Sequence, residues 1–406
     1  MSATIGLVLL AAGMAAVSSW LILFPIRKFA DQLGLLDRPG GHSSHTVPTP
    51  LGGGLGIYLG ILSTITLATL AAALLRDPTS IPGWVSGLRD LVSPAVIPES
   101  WWEAATLHAP GVWSRCGDVW WLIAAGTVLV TLGLLDDRFG LPVGLRLGVQ
   151  FGISAAVVWG LDIELSLFLV AGWLTKLLSV VWIVAVINSF NMLDNMDTLS
   201  SGVAAIIAGS MALVMMTIPD PGTDRPQLLV ASLLLVVAGA LIGFLFHNRP
   251  PAKIFMGDGG SYLVGFLIAV GMLMATFAAG ENSDAVAGDV GEGSWVGSRP
   301  HAVLAPLCAM AVPLYDMITV IWIRIRQGRS PFQGDHSHLS HRLVDLGLSR
   351  TGAVSTIHLL TATCGLAALL LTHVGVWQSI AVLGIVLCLL TLIGILESTQ
   401  WRRSKP

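Results

Sequence analysis

Apolar runs about as long as a bilayer is thick recur along this chain, and they constrain its fold more than any other feature. They lie near residues 4–25, 52–75, 119–135, 147–161, 176–192, 202–218, 228–246, 260–279, 302–323, 354–374 and 377–396. A helix crosses the hydrocarbon core with about 20 apolar residues. The expectation is therefore an all-α polytopic membrane protein with about eleven (10–11) transmembrane helices. The fourth and fifth runs have the least sharp limits, because 162–175 reads neither as loop nor as helix. No basic segment precedes the first run and no clean small-residue cleavage site follows it, so it reads as a helix rather than a signal peptide. Composition agrees: 54% of residues are hydrophobic and 11% charged, against about 25% charged in soluble domains. Frequent glycine in the runs suits close helix packing in lipid. A net charge of −3 gives no field for nucleic acid. Cys116, Cys308, Cys364 and Cys388 lack metal-ligand or disulfide spacing.

Lys and Arg set the orientation. With the N-terminus on side one, side two holds the loops near 26–51, 136–146, 193–201, 247–259 and 324–353 and the C-terminal tail. These carry 15 of the chain's 21 Lys and Arg residues. The positive-inside rule makes side two cytoplasmic, with the N-terminus outside and the C-terminus inside.

The chain reads as a single domain over 1–406, without internal repeats. An extra-cytoplasmic insertion, 76–118, carries Trp84, Trp101, Trp102 and Trp113 and reads as an interfacial cap. Segment 280–301 is rich in Gly, Ser and acids and reads as a flexible loop. The third distinct segment is a cytoplasmic His/Arg-rich loop, 324–353.

Five polar motifs fall on side two. Asp136 and Asp137 follow an apolar helix in GLLDDRFG; by themselves they read as a polar helix end with Arg138 as counter-ion, or as a cation or proton site. In INSFNMLDNMDTLSSG, Asn188, Asn191 and Asn195 share one face of a helix, with Asp194 and Asp197 turned off it, as in the last turns of a helix opening into a pocket. In PPAKIFMGDGGSYLVG, Asp258 is flanked by glycines, Ser261 is placed as an N-cap, and Lys253 adds charge. Such a turn feeding a helix offers N–H groups to a phosphate, with Asp258 available to a divalent cation; Mg2+ or Mn2+ suits oxygen ligands. In RIRQGRSPFQGDHSHLSHRLVDLG, Arg324, Arg326, Arg329 and Arg342 accompany His336, His338 and His341. His338 and His341 are spaced for one helical face, and the arginines favour an anionic ligand or lipid headgroups. Asp316 lies inside the ninth run, eight residues before Arg324, about 12 Å deep at helical rise. An acid at that depth is functional by default. The fifth motif is a proline turn with Asp37, Arg38, His42 and His45. The set suits phosphoryl transfer, in which a metal neutralises pyrophosphate and cations position it.

In order along the chain, Asp37-Arg38-Pro39 with PTPLGG, then LLDDRFG, NSFNMLDNMD, NRPPAKIFMGDGGS, PLYD and GRSPFQGDHSHLSHRL resemble the polyprenyl-phosphate N-acetylhexosamine-1-phosphate transferases, the MraY/WecA family of glycosyltransferase 4 type. The resemblance runs from about residue 20 to 350. It implies transfer of a sugar 1-phosphate, by default GlcNAc-1-phosphate, from a UDP-sugar to polyprenyl phosphate. The products would be polyprenyl-diphosphate-sugar and UMP, in the first membrane step of cell-envelope polysaccharide synthesis. It also implies a multi-pass protein of the inner (plasma) membrane with a cytoplasmic active site, Mg2+ or Mn2+ as cofactor, and room for a homodimer. Carried over, Asp136, Asp137 and Asp258 are catalytic, Asp136 contacting or deprotonating the lipid phosphate with Asp137 beside it, and Asp258, Asn191 and Asp194 hold the metal. Asn188, Asn191, Asp194, Asp197, Lys253, Asp316, His338, His341, Arg342, Asp37 and His45 contact substrate. Ser340 stands where many relatives have a histidine, and Asp194-Asn195-Met196-Asp197-Thr198 where many have DGxDG. The triple-His run of MraY is absent, which favours the WecA-like branch. A membrane transporter is the rival reading, since it too predicts many helices and buried acids; a lipid-binding scaffold is a third.

Overall fold

The computed structural model describes residues 2–37, 48–91, 98–165, 172–217, 226–287, 304–332, 335 and 337–403. In chain order the elements are α1 (Ser2–Phe29), β1 (Leu36–Asp37), β2 (Thr49–Pro50), α2 (Gly53–Leu75), α3 (Gly83–Leu91), α4 (Glu99–Ser114), α5 (Cys116–Phe139), α6 (Val143–Gly160), α7 (Gly172–Leu193) and α8 (Leu199–Thr217). They continue as α9 (Leu228–Asn248), α10 (Gly257–Ala287), α11 (Ala305–Ala309), α12 (Ala311–Arg326), α13 (Leu339–Asp345), α14 (Arg350–Leu371) and α15 (Val376–Arg403). Among the described residues, ten helices are long and apolar enough to cross a membrane. The protein is an all-α, multi-pass membrane protein, as its apolar runs require.

The ninth run, 302–323, differs from the continuous helix expected. It is broken at Met310 into α11 and α12. Pro313 explains the break: it has no N–H for the carbonyl of Ala309, and its ring crowds that carbonyl. The other difference is at the end of α10. Helical backbone runs on to Ala287, through part of the segment expected as loop; its alanines favour helix and no proline interrupts it. Segment 76–118 contains the helices α3 and α4, joined by a small apolar cluster of Ala72, Leu75, Val85 and Ala109 with Trp102 and Trp113.

The membrane-spanning part of α10 is almost wholly buried, ringed by α2, α5, α7 and α9. Helices in lipid gain little from apolar burial against one another and associate through close packing, which small residues permit. Gly54 of α2 and Gly133 of α5 do this here. A Cβ on Gly54 would fall on the backbone of Gly260, and one on Gly133 on the backbone of Gly259. The first turn of the central helix is thereby clamped from two sides at one end of the bundle.

The chain around it is zipped to the same place. β1 and β2 pair antiparallel, Leu36 opposite Pro50 and Asp37 opposite Thr49. Phe255 N–H donates to Pro50 O (2.8 Å), Gly53 N–H to Phe255 O (3.0 Å) and Gly54 N–H to Met256 O (2.9 Å). Asn248 ties the turn after α7 to the same loop: its Oδ1 accepts from Thr198 N–H (2.7 Å) and its Nδ2 donates to Ile254 O (2.8 Å).

Candidate active site

Four carboxylates gather where α5 ends and α10 begins. Gly140, left-handed at φ 63°, closes α5, and its N–H donates to Asp136 O (2.8 Å). Leu141 and Pro142 then turn the chain into α6. Arg146, one turn into α6, consequently faces Asp136, one turn from the end of α5. Its Nη1 lies 2.6 Å from Asp136 Oδ2 and 3.9 Å from Asp258 Oδ2. Tyr262 OH donates to the same Asp136 Oδ2 (3.0 Å), and Leu141 N–H donates to Oδ1 (2.7 Å). Both oxygens of Asp136 are therefore engaged. Asp137 is different. Its Oδ1 accepts from Asp258 N–H (3.0 Å), while Oδ2 is buried without a hydrogen-bond partner. Gly257, at φ 69°, passes close to that oxygen; a Cβ there would sit 2.5 Å from it. Asn191, in the last turn of α7, donates to Asp258 Oδ1 (2.6 Å) and to Ser261 Oγ (3.2 Å). Asp194 follows directly. Burial, then the charges of Asp258 and Asp197, push its carboxyl up to about 8.

This donor set fits a hard divalent cation. It offers carboxylate and amide oxygens, an orphaned buried oxygen on Asp137, and more negative charge than Arg146 balances. Among the described residues no three His, Cys, Asp or Glu side chains already converge on one point, so an ion would have to draw them together.

Several local expectations change. Arg138 is not the counter-ion of Asp136; two residues apart on a helix, they point to different sides. Arg138 instead stacks on Phe139, 5.1 Å from the ring centroid. Ser261 is not an N-cap, because α10 starts at Gly257 and places Asp258 in its first turn, where the helix dipole favours an anion. Asn188 and Asn191 share a face of α7 as expected, but Asn195 does not join them, because α7 ends at Leu193. Asn188 donates to Gln150 Oε1 (2.7 Å) and Val184 O (2.8 Å), clamping α7 to α6.

A cavity of about 660 Å³ opens beside the acids, lined by Asn195, Asp197, Phe255, His341, Arg350 and His358 among others. Asp197 Oδ2 also accepts from Ala252 N–H (2.9 Å). The loop carrying His341 is pinned from below. His338 precedes α13 in extended conformation, so it and His341 do not share a helical face. Asp316, 1% exposed, accepts from Leu339 N–H at Oδ1 (2.6 Å) and meets His338 Nδ1 at Oδ2 (3.0 Å). Arg324 Nη2 lies 3.4 Å from His338 Nε2. A guanidinium only donates, so Nε2 accepts and Nδ1 carries the proton. Both ring nitrogens of His338 are thus engaged, and of the two loop histidines described, it is His341 that lines the cavity. Arg342 reaches Thr319 Oγ1 (3.0 Å). Ser340 donates to Asn195 Oδ1 (2.5 Å), joining loop and turn. Asp335 pairs with Arg324 (3.0 Å) and Arg329 (3.2 Å). Burial raises its carboxyl, but the bonds from Arg324 and Ser337 outweigh this and hold it at about 2.

The structure thus brings Asp136, Asp137, Asn191, Asp194 and Asp258 into one cluster, and Asp197 and His341 into the adjoining cavity. Asp316, His338 and Arg342 lie behind the loop, the Lys253 side chain is exposed, and Asp37 is in β1. Arg38, His42, His45 and His336 lie outside the described residues. Sequence reasoning missed Arg146, Tyr262, Asn248 and Glu397. A Gly-Leu-Pro turn with an arginine one helical turn beyond it was the available signal for Arg146.

The profile of glycosyl transferase family 4 matches residues 119–276, which contain all four acids of the cluster. The decaprenyl-phosphate N-acetylglucosaminephosphotransferase of Mycobacterium tuberculosis (strain CDC 1551 / Oshkosh) is 31% identical over 355 residues, covering 85% of this chain and 78% of its own. The probable undecaprenyl-phosphate N-acetylglucosaminyl 1-phosphate transferase of Bacillus subtilis (strain 168) is 25% identical over 395 residues, 95% of this chain and 91% of its own. The undecaprenyl-phosphate alpha-N-acetylglucosaminyl 1-phosphate transferase of Escherichia coli (strain K12) is 28% identical over 366 residues, 88% and 80% respectively.

Proposed function

The chain belongs to glycosyl transferase family 4, and from that premise we propose that it moves N-acetylglucosamine 1-phosphate from a UDP-sugar to a polyprenyl phosphate, giving polyprenyl-diphosphate-sugar and UMP. The observation that carries this reading is the acid cluster with Arg146 at the end of a membrane bundle, with a cavity of about 660 Å³ lined by Asn195 and Phe255, which flank the cluster residues Asp194 and Asp258 in the chain. A transporter would bind near the midplane, whereas these groups cluster at helix ends. The active face is the cytoplasmic one of the inner membrane, because most Lys and Arg residues fall on that side of the bundle.

The residues divide the work. The cavity takes the nucleotide-sugar, with Asp197, Phe255 and His341 along its wall. Arg146 attracts the lipid phosphate into a site otherwise rich in acids. Asp136, saturated by Arg146, Tyr262 and Leu141, holds that guanidinium in place. Asp137, with one free oxygen, is the group placed to take a proton from the lipid phosphate. A phosphate oxygen of the lipid then attacks the phosphorus that bears the sugar, and the bond from that phosphorus to UMP breaks. Asp258, Asp194 and Asn191 would hold Mg2+ or Mn2+, which supplies charge neutralisation on the diphosphate.

Asp258→Asn is expected to abolish lipid-dependent UMP release while the protein remains folded; full activity in that variant would sink the metal role. Direct attack is tested separately. Purified enzyme without lipid should not exchange labelled UMP into UDP-sugar, and such exchange would require a covalent enzyme intermediate.

A further inference from the structure

Glu397 lies near the end of an apolar helix, remote in sequence from every motif above, yet its side chain is only 10% exposed. It accepts from Tyr315 OH (3.1 Å) and lies 3.3 Å from Arg342 Nε. The Arg342 guanidinium also sits 3.8 Å from Asp316 Oδ1, so it stands between two carboxylates. Asp316 is the carboxylate whose oxygens hold Leu339 N–H and His338 Nδ1.

We propose that Glu397 is a positioning residue for the nucleotide-sugar side of the site, and that it acts by keeping Arg342 off Asp316. The proposal rests on the transferase reading. With the Glu397 charge gone, Arg342 has one carboxylate left within reach. It closes on Asp316 and competes for the oxygens that anchor His338 and Leu339. His341, two residues further on, then loses its place on the cavity wall. Arg146, Asp136 and Asp137 share no hydrogen bond with this network, so the lipid-phosphate side is spared. The last helix thus sets the geometry of a loop it meets only in three dimensions.

The test uses the full-length enzyme with Glu397→Gln, which keeps size and removes charge, and Glu397→Asp, which keeps charge. KM is measured separately for UDP-GlcNAc and polyprenyl phosphate, and hydrogen exchange is followed at the Leu339 amide. The expected result for Glu397→Gln is a donor KM raised about tenfold or more with the lipid KM changed less than about twofold, and faster Leu339 exchange. Glu397→Asp should recover most of the donor KM. An unchanged donor KM overturns the proposal, as does a parallel rise in both KM values that Glu397→Asp does not relieve. Should the wild-type enzyme transfer from no UDP-sugar, the transferase reading fails by itself. Leu339 exchange then decides the positioning claim: faster in Glu397→Gln supports it, unchanged overturns it. If Glu397→Gln does not fold, Tyr315→Phe replaces it. That variant loosens Glu397 without removing its charge and should raise donor KM alone, by less; no rise overturns the proposal.

Discussion

Replacing Arg146 by Met removes the cation that touches the acid cluster and leaves its shape largely intact. Its Nη1 sits 2.6 Å from Asp136 and 3.9 Å from Asp258. Opposite charges near 4 Å attract by about 4 kcal/mol at an effective dielectric constant of about 20. Stripping one partner from a buried pair costs roughly 3–5 kcal/mol. The Arg146 side chain is 26% exposed, which screens the pair and favours the lower end, about 3 kcal/mol. An incoming lipid phosphate would then meet the carboxylates without that guanidinium. At about 1.4 kcal/mol per decade, kcat/KM for polyprenyl phosphate should fall roughly 100-fold. Arg146→Lys should fall less, since it keeps a point charge near both carboxylates but loses the planar guanidinium. The assay is UMP release with lipid varied at saturating UDP-GlcNAc, alongside thermal unfolding in detergent. Arg146→Met with kcat/KM within about threefold of wild type, in a folded protein, would refute the reasoning.

Three further outcomes are expected. Gly133→Ala places a methyl on the backbone of Gly259; shifting Asp258 by about 1 Å should cost about 100-fold in kcat, and wild-type kcat would contradict the clamp. Burial and the charges of Asp258 and Asp197 push the Asp194 carboxyl up to about 8 from its ordinary 3.8, so below about 8 a metal must displace its proton. Metal affinity should rise by up to about tenfold per pH unit between about pH 6 and 8 and flatten above; a flat profile, or an unchanged slope in Asp194→Asn, contradicts this. Asp335, held at about 2, stabilises the loop fully above about pH 4 and loses that contribution as pH falls towards 2. Asp335→Asn should therefore speed tryptic cleavage between α12 and α13 at neutral pH, and equal rates would argue against the pairing with Arg324 and Arg329.

What was legible in the sequence depended on range. Apolar length is a local property, so the spans could be read directly, and the ninth failed only where Pro313 breaks the backbone. Asp136, Asp137, Asn191, Asp194 and Asp258 stood out because polar residues at apolar helix ends are conspicuous. Their partners did not. Arg146 looked like one more basic residue beside a loop, and Tyr262 and Glu397 sat inside or at the end of apolar helices. Nothing in their neighbourhoods shows which distant acid or guanidinium they meet. The histidines show the same limit: spacing put His338 and His341 together, but α13 begins at Leu339 and sends one towards Asp316 and the other to the cavity.

The central claim is that a phosphorus atom moves with the sugar. UDP-GlcNAc labelled on the phosphorus next to the sugar, given to purified protein with polyprenyl phosphate, tests it directly. The account predicts that the label enters the lipid with one UMP released per labelled lipid, and only when the lipid is present. Label recovered in released UDP, or UMP formed without any label reaching the lipid, would contradict it.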